Sequence, residues 1–283
     1  MKAYKAFNTN LTCRDFQYEI GKTYEMKDEP IICEKGFHAC TKFDDVFNYY
    51  DLGRGTRICE VELLGDIDDF AQKDSKLATN KIKIIRELRA SELWDLGTRY
   101  SKLQAIVYGC NKVTDEMIQQ LHVIDRMIVA EFGANKHRDI LVSDPDWIVR
   151  QQLARFGNHK HRDVLVYDED PVVRLGVVKF GTHRHHTILV YDSDPTIRRE
   201  VAKRGAHKNR DILVYDKNSY VRVEVAKYGN DKHRTQLVND TDSEVRCNVA
   251  IYGNRNHRRR LINDVDFDIQ NVARNRSRFW VGH

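Results

Sequence analysis

The sequence predicts a small α+β domain followed by an all-α superhelical solenoid of helical repeats, each about 24 residues long. Three observations carry that prediction. Six arginines (Arg126, Arg150, Arg174, Arg198, Arg222, Arg246) recur at one constant interval, and seven residues after each comes a glycine (Gly133, Gly157, Gly181, Gly205, Gly229, Gly253). An aspartate column, Asp144, Asp168, Asp192, Asp216, Asp240 and Asp264, keeps the same phase. The first 92 residues show no such columns; short apolar runs alternate there with turn residues. Several columns holding one period mark an array of stacked units rather than one globular core.

Residues 1–92 form the expected head. Strand character is read at 3–7, 16–24, 57–64 and 82–88. Phe43, Val46, Phe47 and Tyr50 are spaced as one face of a helix between the second and third runs. Residues 93–122 form a junction, with 102–108 as a capping helix, and Gly109 extends the glycine series back by one unit.

Residues 123–283 are the repeats. In the unit DPVVRLGVVKFG, Asp170 suits the helix N-cap and Pro171 the first helical position. Val173, Val177 and Phe180 follow as one apolar stripe, matched by Val149, Leu153 and Phe156, by Val221, Val225 and Tyr228, and by Val245, Val249 and Tyr252. The glycine that follows is expected to stop the helix at C′. A polar turn and an apolar cluster come next (Val164-Leu165-Val166 in one unit), so each repeat holds a three-turn helix, a shorter second helix and two tight turns. One such hairpin cannot bury both stripes; stacking can. In the tail 274–280, Phe279 and Trp280 are read as a terminal cap rather than a platform for stacking bases.

The pattern D-x-D-P-x-V-R-x-x-V-A-x-x-G resembles the short HEAT-like unit called the leucine-rich repeat variant, over roughly residues 100–283. That resemblance implies a curved right-handed superhelix. The iron–sulfur cysteine cluster that accompanies some such arrays is not matched, since only Cys110 and Cys247 lie in this half. The run MKAYKAFN…DFQYEIGKTYE…CEKGFHAC…VFNYY…EVELLGDI resembles an uncharacterised domain of phage and prophage proteins, often placed before a repeat array. It implies an accessory protein of viral or mobile-element origin. A weaker resemblance, over Gly36-Phe37-His38, Tyr49 or Tyr50, and Glu60 or Glu62, is to ADP-ribosyltransferase-type folds. It implies a catalytic glutamate at Glu60 or Glu62, although the first strand lacks the Arg or His that grips the dinucleotide there. Read from the residues alone, C-E-V-E-L alternates as a strand whose glutamates face solvent.

Charge directs attention to the repeats. Residues 1–120 hold 18 Lys+Arg against 20 Asp+Glu, and residues 121–283 hold 29 against 22. Eleven of the twelve histidines also lie in the second half. An anionic partner for the repeats follows as an expectation. The aspartate and arginine columns are expected to form a ladder between neighbouring units. The turn after each glycine reads Lys136-His137-Arg138, Lys160-His161-Arg162, Arg184-His185-His186, Lys208-Asn209-Arg210, Lys232-His233-Arg234 and Asn256-His257-Arg258. A cation at a helix start opposes the macrodipole, while the free N–H groups there favour anions. Repeated in register, these turns are expected to form a basic binding ridge along a phosphate backbone or an acidic protein face.

The head offers little catalytic pattern. Cys33, His38 and Cys40, with Cys13, supply soft ligands at a spacing unlike a zinc finger or ribbon. No P-loop, H-E-x-x-H or G-x-S-x-G motif is present. Scattered cysteines, no apolar run of membrane-spanning length and no secretory h-region make a cytoplasmic protein with reduced thiols the expectation. The expected function is non-enzymatic binding of a host or defence protein complex, without cofactor or metal. Nucleic-acid binding through the ridge and an ADP-ribosyltransferase-like head are the alternatives.

Overall fold

The computed structural model describes residues 1–70 and 73–276. Phe279 and Trp280, read above as a terminal cap, lie outside these residues. The chain divides into two compact units, Met1–Val149 and Arg150–His283.

The first unit is built on a seven-stranded antiparallel sheet. Its strands are β1 (Lys2–Phe7), β4 (Thr23–Glu25), β5 (Phe37–Cys40), β6 (Arg57–Leu63), β7 (Ile67–Asp68), β8 (Lys76–Thr79) and β9 (Lys81–Glu87), in the order β4-β9-β6-β1-β5-β8-β7. A separate two-stranded hairpin pairs β2 (Thr12–Cys13) with β3 (Phe16–Gln17). β1 is the middle strand, and both of its faces are covered. Ala3 and Phe7 join Tyr18, Phe37, Val61, Ile82 and Ile84 on one side. Ala6 joins Val46, Ile58, Leu93 and Ala105 on the other. Leu93 and Ala105 come from helices α1 (Ala90–Asp95) and α2 (Arg99–Val107), so the junction helices belong to the head's core. Helices α3 (Asp115–Gln119), α4 (Val123–Phe132) and α5 (Asn135–Arg138) and a 3-10 segment, Asp139–Ser143, follow in the same unit.

The head departs from its expected elements in three places. The run 16–24 is not one strand: Gly21 takes φ +85°, and Tyr18 and Tyr24 turn into a ring cluster with Phe16 and Phe37. The helix expected from Phe43 to Tyr50 is a 3-10 segment, Asp44–Asn48, in which Val46 is the buried residue. β5 and β8, of four residues each, are too short to show an alternating run in the sequence.

The repeats follow the expected plan of a long and a short helix. The long first helices are α6 (Trp147–Phe156), whose first turn precedes the division, α8 (Pro171–Phe180), α10 (Pro195–Arg204), α12 (Ser219–Tyr228), α14 (Ser243–Tyr252) and α16 (Phe267–Arg276), each of 10 residues. The short second helices are α7 (His159–Leu165), α9 (His183–Leu189), α11 (His207–Leu213), α13 (Asp231–Leu237) and α15 (Arg255–Leu261), each of 7 residues. Asp170 and Asp194 cap their helices through the N–H groups of Val172 and Thr196, both at 2.7 Å, with Pro171 and Pro195 at the first position. From α8 onward each first helix packs on the next.

The ladder forms as expected. Each arginine forks onto the aspartate of the next repeat, as in Arg174 Nε to Asp192 Oδ2 at 2.6 Å and Nη2 to Oδ1 at 2.9 Å. Equivalent pairs are Arg150–Asp168, Arg198–Asp216, Arg222–Asp240 and Arg246–Asp264, and within the first unit Arg126–Asp144. The arginine's other nitrogen, Nη1, donates to the backbone carbonyl of its own repeat's aspartate, as from Arg198 to Asp192 at 2.7 Å. One guanidinium thereby ties two consecutive repeats together.

Two details of the repeat differ from expectation. The buried stripe of α8 is Val173, Gly176, Val177 and Val178, whereas Phe180 is 44% exposed and Tyr252 41%. These rings end their helices, where no further turn covers them; Arg155 lies 4.7 Å from the Phe156 ring centroid and 5.8 Å from that of Phe180. The column glycines are also not left-handed stops: Gly133, Gly181, Gly205, Gly229 and Gly253 have φ between −61° and −83°. They are needed for space. A Cβ on Gly181 would run into the carbonyl of Val177 and stand 2.8 Å from His185 Nδ1. Gly109 alone of the series takes positive φ, +79°, a conformation that costs an L side chain about 1–2 kcal/mol.

Candidate binding surface

The turn after each glycine holds the three residue columns expected to form a ridge, and they have three different environments. The histidines point inward: His137, His161, His185, His233 and His257 are at most 3% exposed. Each of the last four is the third residue of its second helix, where Nδ1 accepts the N-cap backbone N–H at 2.9–3.0 Å. Asn209 does the same through Oδ1 at 3.0 Å, which explains why asparagine stands in this column. His137 instead places Nδ1 2.9 Å from the Ile106 carbonyl. A nitrogen that accepts an N–H is unprotonated, so His161, His185, His233 and His257 carry their proton on Nε2. In His233 that nitrogen lies 3.1 Å from Asp211 Oδ1 of the preceding repeat, and in His257 it lies 2.9 Å from Thr235 Oγ1. Burial pushes the pKa values of His137, His185, His233 and His257 down.

The arginines of the third column turn back on the preceding first helix. Arg162 donates to the carbonyls of Ala154 (2.7 Å) and Arg155 (2.8 Å). Arg210 reaches Ala202 and Lys203, and Arg234 reaches Ala226 and Lys227. Arg138 donates to the Glu131 carbonyl and Arg258 to that of Gly253. His186 takes this place in its repeat, with Nε2 2.9 Å from the Val178 oxygen. These cations therefore do not oppose a helix start. They satisfy the free carbonyls at a helix end, where positive charge is favourable.

Only the first column faces solvent. Lys160, Arg184, Lys208 and Lys232 are exposed, as is Lys136, whose Nζ is 2.7 Å from Asn111 Oδ1. The expected ridge of three side chains per repeat is thereby reduced to one. Sequence reading, however, missed its neighbours. Lys160 and Val164 lie on the outer side of α7 and Tyr167 just past its end, at spacing i, i+4, i+7, with Val164 54% and Tyr167 72% exposed. Arg184 and half-buried Ile188 on α9 with Tyr191 just past it repeat this stripe, as do Lys208 and Ile212 on α11 with Tyr215, both tyrosines being 71% exposed. On α13 the stripe becomes polar, Lys232, Gln236 and Asn239, and Gln236 Nε2 donates to Tyr215 OH at 2.8 Å. The tyrosines recur with the repeat period and are legible as a column directly after the apolar cluster of each repeat. The face also carries acid, since Arg184 Nη1 lies 3.4 Å from Asp163 and Lys232 Nζ 3.5 Å from Asp211.

In the head, Gly36, Phe37, His38, Tyr49 and Tyr50 line one cavity, together with Lys5 of the first strand. Glu60 and Glu62 are not among its lining residues. Glu60 is bound to Lys2 at 2.8 Å and Arg86 at 3.1 Å, with the Lys2 ammonium foremost in holding its carboxyl below the usual range. The residues expected from a transferase-type site are thus not brought together. Among the described residues no group of three His, Cys, Asp or Glu side chains is arranged to hold a metal. No helix among them is long and apolar enough to cross a membrane.

Comparison with known proteins matches residues 1–96 to a family described as a domain of unknown function (DUF7666). A solved leucine-rich repeat variant, described as having a novel repetitive structural motif, is similar at 21% identity and a TM-score of 0.55, over 66% of this chain and 80% of that one. That likeness shows the repeat fold. A designed armadillo repeat protein in complex with a (KR)4 peptide aligns over 66% of this chain and 84% of that one, at 14% identity and a TM-score of 0.19. No curated protein matches the sequence.

Proposed function

We propose that this chain is a non-enzymatic binding protein whose repeats hold a partner protein on the outer face of the second helices. The observation that carries the reading is the lattice of Lys160, Val164, Tyr167, Arg184, Ile188, Tyr191, Lys208, Ile212 and Tyr215 in three consecutive repeats. Tyrosine and arginine are enriched at interface hot spots, and tyrosine buries much area at little entropic cost because its ring has few rotatable bonds. Exposed Val164 and Ile212, with half-buried Ile188 between them, supply the apolar centre. A polyanion groove is built differently, from unpaired cations that release counterions; here Arg184 and Lys232 each have an acidic neighbour. The match to a leucine-rich repeat variant supports a scaffold that presents an extended surface. The amino-terminal resemblance to phage and prophage proteins makes a host or defence complex the partner to test first.

The test is affinity purification of the whole chain with nuclease present, beside two variants, Tyr167→Ser/Tyr191→Ser/Tyr215→Ser and Lys160→Glu/Arg184→Glu/Lys208→Glu. The expected result is one stoichiometric protein, retained after nuclease and lost from both variants, whose melting temperatures match the parent. A partner released by nuclease, or binding that depends on the cations but not the tyrosines, would replace this reading with the nucleic-acid one.

A further inference from the structure

The head contains a cavity of about 690 Å³ lined by residues of the first unit alone, within the range of small-molecule sites. It lies where β1 and β5 share a single register pair, Tyr4–Cys40. Phe16, Tyr18, Tyr24 and Phe37 form one aromatic wall, with ring centroids 4.7–6.5 Å apart. Tyr49 and Tyr50 add two further rings to the lining.

Charge in this cavity is one-sided. Lys5, Arg14 and Lys76 all line it, and none has a carboxylate at ion-pair distance among the described residues. Elsewhere in the head such pairs are the norm, as in Lys2–Glu60, Lys35–Asp28 and Arg57–Glu87. The acid of the lining, Glu25, is already held by Lys81 at 2.8 Å. Lys5 is only 5% exposed; its Nζ donates to the His38 carbonyl at 2.8 Å and lies 5.4 and 5.5 Å from the Phe7 and Tyr18 ring centroids. Lys76 Nζ sits 4.2 Å from the Tyr49 ring centroid and 3.1 Å from Cys33 Sγ. Burial first, with Lys5, Lys76 and Arg14 adding to it, brings the His38 pKa down to about 4. Arg14 (φ 52°) and Cys33 (φ 68°), both lining residues, hold the left-handed backbone that non-glycine residues rarely adopt. Burial holds the Lys5 pKa below its ordinary value, and an anion in the cavity favours its charged form.

We infer that this cavity binds a planar, ring-bearing organic anion of about mononucleotide size. The ring stacks on the Phe16–Tyr18–Tyr24–Phe37 wall, and the phosphate or carboxylate meets Lys5, Arg14 and Lys76. The inference is independent of the partner proposed for the repeats.

Titration calorimetry on the whole chain tests it with AMP and indoleacetate as ring-bearing anions. Adenosine supplies a ring without charge, and inorganic phosphate charge without a ring. At least one of the two anions is expected to bind about tenfold or more tightly than both controls, a difference of about 1.4 kcal/mol; which one binds decides between phosphate and carboxylate. Arg14→Ala/Lys76→Ala is expected to weaken that binding about tenfold. Lys5→Met is expected to weaken it without lowering the melting temperature. Adenosine binding as tightly as AMP, unchanged affinity in the Arg14/Lys76 variant, or no saturable heat from either anion at millimolar concentration would overturn the proposal.

Discussion

Arg198 of one repeat and Asp216 of the next form a two-pronged ion pair, Nε to Oδ2 at 2.6 Å and Nη2 to Oδ1 at 2.9 Å. The arginine side chain is 8% exposed and the aspartate 5%. The same carboxylate accepts the Asn218 N–H at 2.9 Å, so one aspartate closes a turn and joins two repeats. Removing one partner of such a pair leaves the other buried and uncompensated. Asp216→Ala is expected to destabilise the chain by about 3–5 kcal/mol in denaturant unfolding. Arg198→Met/Asp216→Ala is expected to cost less than the sum of the single changes, and strict additivity would show that the pair is not coupled.

The buried histidines set a pH dependence. Their pKa values in the folded chain lie below the unfolded value of about 6.5, so the unfolded chain binds more protons as pH falls through that region. Their contribution to stability is complete above about pH 6.5 and is lost as pH falls toward the lowered folded values. The melting temperature is expected to drop between pH 7.5 and pH 5, with each such histidine adding at most about 1.4 kcal/mol per pH unit. Asn209 already does the histidine's capping in its own repeat. His233→Asn is therefore expected to flatten the profile while leaving stability at pH 7.5 nearly unchanged.

Two glycines separate space from backbone conformation. At Gly181, φ is −83° and a Cβ collides with its surroundings. Alanine and asparagine there are both expected to cost about 1–3 kcal/mol, as overpacking does. At Gly109, φ is +79° and the nearest atom to an added Cβ is Ala134 Cβ at 3.3 Å. Asparagine, which tolerates left-handed backbone, is expected to be milder than alanine there. Thermal unfolding of the four variants checks the contrast.

Adjacent basic residues are expected to behave oppositely. Lys160→Ala changes an exposed side chain and is expected to shift stability by no more than about 0.5 kcal/mol. Arg162→Ala leaves the Ala154 and Arg155 carbonyls without their donor and is expected to cost about 1.5–3 kcal/mol. Equal losses in the two variants would contradict the division of the turn into an exposed and a structural column.

By itself the sequence determined the repeat period, the N-cap at Asp170, and the pairing of arginine with aspartate. The cap rests on local spacing within one turn, and the period and the pairing on columns that recur from repeat to repeat. Tertiary structure decided what the turn residues do. His161 and Arg162 look like surface charge in a polar turn, yet one ring fills the space the glycine leaves and the other side chain reaches a helix end seven or eight residues back. Val164 stands in an apolar cluster of the sequence yet is 54% exposed, and Tyr167, Tyr191 and Tyr215 stand outside because each short second helix ends before them. The cavity in the head was illegible for the same reason: Lys5, Arg14, Phe16, His38 and Lys76 come together only when distant strands pair. Spacing along the chain specifies which residues share an element; which neighbour covers each face depends on contacts that spacing does not encode.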